Sequence, residues 1–359
     1  MLYSQRRQKA GSILAKLELD ALVFCKPENI RYLCGFTGSD GALILFSDHL
    51  VFLTDSRYTS QSHEEVIADQ ICEYTIKAEG IAARLSSHKV KRIGFEATLA
   101  FGFVKELQSK GHAGWHWQHL KEELQSLRLH KSADEIDLLA KAAELNALAF
   151  DDIIDMVKPG AREIDVALAL EFALRKRGAE EKAFDFIVAS GPRGAMPHGV
   201  ASEKLIGVNE LVTIDFGCRW RGYHSDETVT LAMGTVSDDL KAIFATVLEA
   251  HDRALEAVAP GVELAELDRI ARDSIKSRGF GDYFGHGLGH GVGLEIHEAP
   301  TVSPRSTMIA EPGMVITVEP GIYVPNVGGV RIEDTVLVTD AGHRILTKIP
   351  KTFDNHLLN

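Results

Sequence analysis

Short apolar runs and longer helical repeats alternate through the first third of the chain. Helical spacing over 4–17 leads into the run Ala21–Phe24, and further apolar runs lie at 42–46, 50–53 and 92–95. Turn signals such as Thr37-Gly-Ser-Asp-Gly41 separate them, and helices are predicted over 57–68, 77–87 and 103–110. Strands alternating with helices predict a small α/β unit with a mostly parallel or mixed sheet. A polar stretch across 121–132 predicts a boundary, giving domains of 1–127 and 128–359. Beyond it, Ser132-Ala-Asp-Glu135 reads as a capping box opening a long helix to about Val157, with Ile136, Leu139 and Ala143 along its apolar face.

The pattern after this boundary repeats. Val157-Lys-Pro-Gly160 closes one helix and a second runs to Arg177-Gly178. Val258-Ala-Pro-Gly261 and Arg278-Gly279 do the same at an offset of 101 residues. Each helix pair is followed by an apolar strand with an acid near its end, Leu211–Gly217 with Asp215 and Met314–Gly321 with Glu319. A further strand follows each time, with an acid two residues before a threonine: Asp226 and Thr228, Glu333 and Thr335. The spacing predicts a duplicated helix–helix–strand–strand unit of about 100 residues and an α+β chain.

Charge changes this picture. The chain carries 39 Lys+Arg against 51 Asp+Glu. Residues 1–125 hold 15 of each, so the whole excess of −12 lies beyond them. Nucleic acid and anionic membrane surfaces, which need basic patches, are not expected partners. Cys25, Cys34, Cys72 and Cys218 form no paired spacing, no secretory leader is seen and no apolar run is long enough to span a bilayer. A cytoplasmic protein is expected.

An acid within an apolar strand must protonate, pair or bind metal. Asp215, Asp226, Glu319 and Glu333 form two matched pairs, and a pseudo-twofold duplication brings all four to one axis. Two divalent cations would offset their repulsion. Histidines supply softer donors: His286, His290 and His297 lie within twelve residues, in a segment with glycine at every odd position from 285 to 293. That glycine content argues for extended chain. At ~3.3 Å per residue, His286 and His290 then start about 13 Å apart on one face, so at most one is a ligand. His198, in Met196-Pro-His-Gly199, matches His297 in repeat position and would flank the centre opposite it. There is no GxSxG, nor any sign of an activated cysteine, so nucleophilic catalysis is disfavoured. His112, His116 and His119, with Trp115 and Trp117, read as a half-buried strand or loop rather than a metal site.

The motifs Ile214-Asp-Phe-Gly217, Gly222-Tyr-His-Ser-Asp-Glu-Thr228, His286-Gly-Leu-Gly-His290, Thr317-Val-Glu-Pro-Gly-Ile-Tyr323 and Val330-Arg-Ile-Glu-Asp-Thr335 resemble the pita-bread metallopeptidases: aminopeptidase P, prolidase and methionine aminopeptidase. Asn29-Ile-Arg-Tyr-Leu33, Gly35-Phe-Thr-Gly38 and Thr54-Asp-Ser-Arg-Tyr58 resemble the creatinase/prolidase-type N-terminal domain. The resemblance implies two divalent metal ions, manganese first and cobalt or zinc otherwise. Asp215 would hold one ion, Asp226 and Glu333 would bridge, and His290 and Glu319 would complete the second. A bridging water would become hydroxide, Glu319 would accept its proton, and the bond before proline would be cleaved. His198 and His297 would stabilise the tetrahedral intermediate, and His286 would line the proline pocket. Arg331, two residues before Glu333 on one strand face, would orient that carboxylate and counts with the substrate-binding residues. Tyr223 and Tyr323 are expected to pack.

The family strand often reads Ser-Asp-x-Thr-Arg-Thr, whereas this chain has Val229 in place of the arginine. Parity puts Val229 opposite Asp226, so the metal site should survive while that arginine's ion pair is lost. The expected activity is a dinuclear exopeptidase cutting Xaa-Pro bonds at peptide N-termini or in dipeptides, as a homodimer. A methionine-type aminopeptidase is less favoured, since those enzymes usually lack the first domain. Creatinase works without metal, against the intact ligand set. A non-enzymatic binding module on the same fold typically loses ligands that are complete here.

Overall fold

Six strands of the first third assemble as a mixed sheet in a computed structural model that describes residues 2–353 and 357–358. They are β1 (Ala21–Phe24), β2 (Ala42–Phe46), β3 (Leu50–Thr54), β4 (Gln70–Glu73), β5 (Arg92–Glu96) and β6 (His116–Leu120), in the order β4-β3-β2-β1-β5-β6. The pairs β1–β2 and β2–β3 are antiparallel, the first joined through the helix Pro27–Cys34, and the other three pairs are parallel. The central strands β1, β2 and β3 are buried on both faces, as their unbroken apolar runs require. Helices Leu2–Lys16, Lys77–Ser87 and Phe101–Lys110 follow the predicted spans to within a few residues.

Two local readings differ. The helix predicted over 57–68 is a 3₁₀ turn, Ser56–Tyr58, followed by a helix over Thr59–Glu65 only. Val66 is extended, and the Asp69 carboxylate accepts from the Leu50 N–H, which pulls the chain into β4. The half-exposed β4 has no apolar run to announce it. The histidine- and tryptophan-rich segment forms edge strand β6 and the turn before it.

Residues Leu129–Asn359 form a second compact unit, distinct from Met1–Arg128. Ser132 and Glu135 make both halves of the capping box at the head of Ala133–Ile153. The next helices are Glu163–Lys176, Asp238–Glu256 and Leu264–Ser277. Gly160 and Gly261 both have φ of +90°, so the landmarks that repeat in sequence repeat in backbone. Each helix pair covers its own apolar core.

The strands explain where the acids fall. Glu210–Phe216 pairs antiparallel with Glu227–Met233, and Val315–Val318 with Asp334–Thr339. Asp226 and Glu333 were expected inside continuous strands, yet each lies in a break. Tyr223–His224 belongs to a three-stranded sheet and Glu227–Met233 to a four-stranded one. Likewise Gly328–Arg331 pairs with Gly321–Val324, while Asp334–Thr339 enters a five-stranded sheet. The chain changes sheets at each acid, freeing the carboxylate from the alternation of one flat surface. Val229 is fully buried in the core of the first repeat. Among the described residues, no helix is long and apolar enough to cross a membrane.

Candidate metal centre

The two halves of the duplication meet at a cavity of about 790 Å³. All nine residues singled out from the sequence line it: His198, Asp215, Asp226, His286, His290, His297, Glu319, Arg331 and Glu333. Tyr323 lines it too.

His290 comes from Gly289–Gly291, a three-residue strand between Glu298–Val302 and Val315–Val318. The flanking glycines make that position possible. A Cβ on Gly289 would stand 2.1 Å from the Thr317 carbonyl oxygen, and one on Gly291 would stand 2.3 Å from that of Ala299. The His290 Nδ1–H donates to the Gly291 carbonyl at 3.1 Å. This leaves Nε2 as a lone pair, 3.5 Å from Asp226 Oδ2 and 3.4 Å from Glu319 Oε1. Burial pushes His290 down to about 4, so the ring is neutral at physiological pH. Donor atoms of Asp226, His290 and Glu333 all lie within 4.8 Å of one another.

The carboxylates are crowded without an ion. Burial, then the charges of Glu333, Asp215 and Glu319, raises Asp226 well above the usual range. Burial, followed by Glu319 and Asp215, does the same to Glu333. Burial pushes Glu319 up to about 8. Asp215 Oδ1 is buried with no hydrogen-bond partner among the described residues. An orphaned carboxylate oxygen, three acids held at unfavourable protonation and a neutral imidazole aimed at them form a donor set that divalent cations fit.

Arg331 corrects one expectation. Its Nη2 donates to Asp215 Oδ2 at 2.6 Å rather than to Glu333. Nη1 donates to the Pro197 carbonyl and to the Tyr323 hydroxyl, and Nε to Thr228 Oγ1 at 3.2 Å. Thr228 Oγ1 in turn donates to Glu333 Oε2 at 2.7 Å. Glu333 is therefore oriented by a threonine placed between it and the guanidinium. Strand parity aligned Arg331 with Glu333 but carried no information on a partner 116 residues away.

Tyr323 is the residue that sequence reasoning placed in the core and the structure places in the site. Its hydroxyl lies 2.9 Å from both Arg331 Nη1 and His286 Nε2. His286 Nδ1 is 2.8 Å from the Gly287 carbonyl, which only accepts, so Nδ1 carries the proton and Nε2 accepts from Tyr323. Burial pushes His286 down to about 4. The signal available in sequence was a buried tyrosine two residues after Gly321, whose hydroxyl needs a partner. Tyr223 instead donates to Glu135, away from the cavity.

His198 and His297 are exposed at the cavity, and the His297 ring meets His290 edge-on with centroids 4.3 Å apart. Cys218 is buried and its thiol pushed up to about 11 by that burial, so it offers no nucleophile.

Comparison with known proteins identifies the family. Residues 137–340 match the model of metallopeptidase family M24, and residues 6–130 match the creatinase/prolidase N-terminal domain. An uncharacterised peptidase of Bacillus subtilis is 43% identical over 346 residues, covering 96% of this chain and 98% of that protein. An Xaa-Pro dipeptidase of Pyrococcus horikoshii is 38% identical over 353 residues, covering 97% and 98%. The solved structure of an Xaa-Pro dipeptidase from Bacillus anthracis superposes with a TM-score of 0.95 at 38% identity, covering 99% of this chain and 100% of that one. The chain belongs to metallopeptidase family M24, with a creatinase/prolidase N-terminal domain before a pita-bread catalytic domain. It is an enzyme of peptide hydrolysis.

Proposed function

We propose that this enzyme cleaves the Xaa-Pro bond, at the N-terminus of peptides or in dipeptides, with two divalent metal ions per subunit. The observation that carries this reading is the convergence of five donors on one cavity: Asp215, Asp226, His290, Glu319 and Glu333. Asp215 would hold one ion, His290 and Glu319 the other, and Asp226 and Glu333 both. Bound there, the cations would acidify a shared water to hydroxide at neutral pH and polarise the scissile carbonyl. Oxygen donors with one imidazole suit manganese, with cobalt and zinc compatible.

This chain's own groups do the rest. Glu319 accepts the proton of the attacking water at a side-chain oxygen. His198 and His297, one from each repeat, stabilise the oxyanion that develops at the carbonyl. His286 is held neutral against Tyr323 and lines the pocket for the proline side of the substrate. Arg331 fixes Asp215 and, through the Pro197 carbonyl, the turn that carries His198. A homodimer accompanies this reading through the family likeness, and light scattering checks it.

The test is a length series. Xaa-Pro, Xaa-Pro-Yaa and longer peptides are offered to chelated protein reloaded with manganese, cobalt or zinc. Proline-dependent release of the first residue is expected, with the preferred length read directly. Cleavage of none of them by any loaded form would overturn the proposal.

A further inference from the structure

Behind the cavity, each of the two acids proposed to hold both ions is followed by a second acid that points away from it. Asp226 is followed by Glu227 and Glu333 by Asp334, each pair at the break where the chain enters its next strand. Asp226 and Glu333 line the cavity, whereas Glu227 and Asp334 are buried on the other side. Lys351 lies between them: its Nζ is 2.6 Å from Glu227 Oε1 and 3.7 Å from Asp334 Oδ1, with all three side chains no more than 7% exposed. The segment leading to it follows the same two strands. The Leu346 N–H donates to the Thr335 carbonyl, Thr347 Oγ1 to Asp334, and the Ile349 N–H to Glu227 Oε1.

We propose that Lys351 is a positioning residue of the metal centre, a clamp that fixes the two strand breaks from which Asp226 and Glu333 project; this rests on the dinuclear reading above. The cost of burying such ions argues for a role beyond stability. Buried ion pairs contribute little net stability against an apolar replacement. Here one buried ammonium is shared by two buried anions, with His251 Nε2 also 3.2 Å from Asp334 Oδ2, and Glu227 Oε2 still lacks a hydrogen-bond partner among the described residues. The strand Glu227–Met233 carries no cation of its own, with Val229 packed in the core. Lys351 instead ties a carboxylate of the first repeat to one of the second, each adjacent in sequence to a proposed bridging ligand.

The sign of the effect distinguishes a clamp from a background charge. Removing a cation near a metal site tightens cation binding by Coulomb's law alone, whereas losing a clamp loosens it. Manganese affinity is measured by calorimetry on the chelated full-length protein, alongside circular dichroism, for wild type, Lys351→Met and the exposed control Lys241→Met. Folded Lys351→Met is expected to bind at least one ion about 10–100-fold more weakly, the usual cost of losing an outer support. Its hydrolysis should recover towards wild type at saturating manganese, and Lys241→Met should bind normally. Equal or tighter binding by Lys351→Met overturns the proposal. Should that variant not fold, the charge-balanced Glu227→Ile/Lys351→Met protein carries the comparison, and wild-type affinity there overturns the clamp. Wild-type protein that takes up no manganese would overturn the metal reading itself, and the clamp with it.

Discussion

Arg331 Nη2 donates to Asp215 Oδ2 at 2.6 Å, joining a strand of the second repeat to one of the first across the cavity. Both side chains are nearly buried. Breaking a buried pair by removing one partner costs about 3–5 kcal/mol, because the other charge is left uncompensated. Arg331→Met should therefore lower the stability of metal-free protein by about 3 kcal/mol in denaturant titration, and that of manganese-loaded protein by less. Equal losses in both forms would show that Arg331 serves the fold rather than the carboxylate.

The crowded acids make the metal-free enzyme sensitive to pH. Glu319, normally near 4.5, is pushed up to about 8, and Asp226 and Glu333 shift the same way. In that interval the folded protein keeps protons that the unfolded chain has released, so stability falls as pH rises. His286 and His290, lowered to about 4, act with opposite sign below about 6.5. From about 6.5 to 8 metal-free protein should lose stability on the order of a few kcal/mol, and His251, raised against its burial by Asp252 and Asp334, adds to the slope with the same sign. Manganese-loaded protein should lose the carboxylates' share of that slope, as melting temperatures in the two forms will show.

His198 and His297 touch the cavity without joining the donor cluster. Replacing either with alanine should lower kcat by about 10²–10³-fold, the usual loss for one oxyanion-stabilising donor. Manganese stoichiometry should not change. Loss of metal together with activity would move that residue into the ligand set.

Tyr323→Phe removes the hydroxyl shared by Arg331 and His286. A hydrogen bond to a charged group contributes about 1.5–3 kcal/mol, so a fall in kcat/KM of about tenfold or more is expected with the fold intact by circular dichroism. Unchanged kinetics would return Tyr323 to a packing role.

What was legible in the sequence was local or periodic. The capping box at Ser132 and Glu135 needs only four residues. The duplication shows itself through helix-ending glycines that repeat because both copies need the same positive φ. The acids declared themselves by standing in apolar surroundings, where a lone carboxylate is costly. What was hidden depends on distant partners. Arg331 finds Asp215, Tyr323 finds His286, and Lys351 finds Glu227 across 124 residues, none of them fixed by spacing. The breaks at Asp226 and Glu333 were hidden for the same reason, since a strand that changes sheets reads as one continuous run.

The most direct test of the central claim is the rate of Xaa-Pro cleavage against equivalents of manganese added to metal-free protein, with Xaa-Ala as the control substrate. The account predicts proline-dependent hydrolysis that rises from near zero and saturates at two equivalents per chain. Hydrolysis indifferent to added metal, or none at any loading, would contradict it.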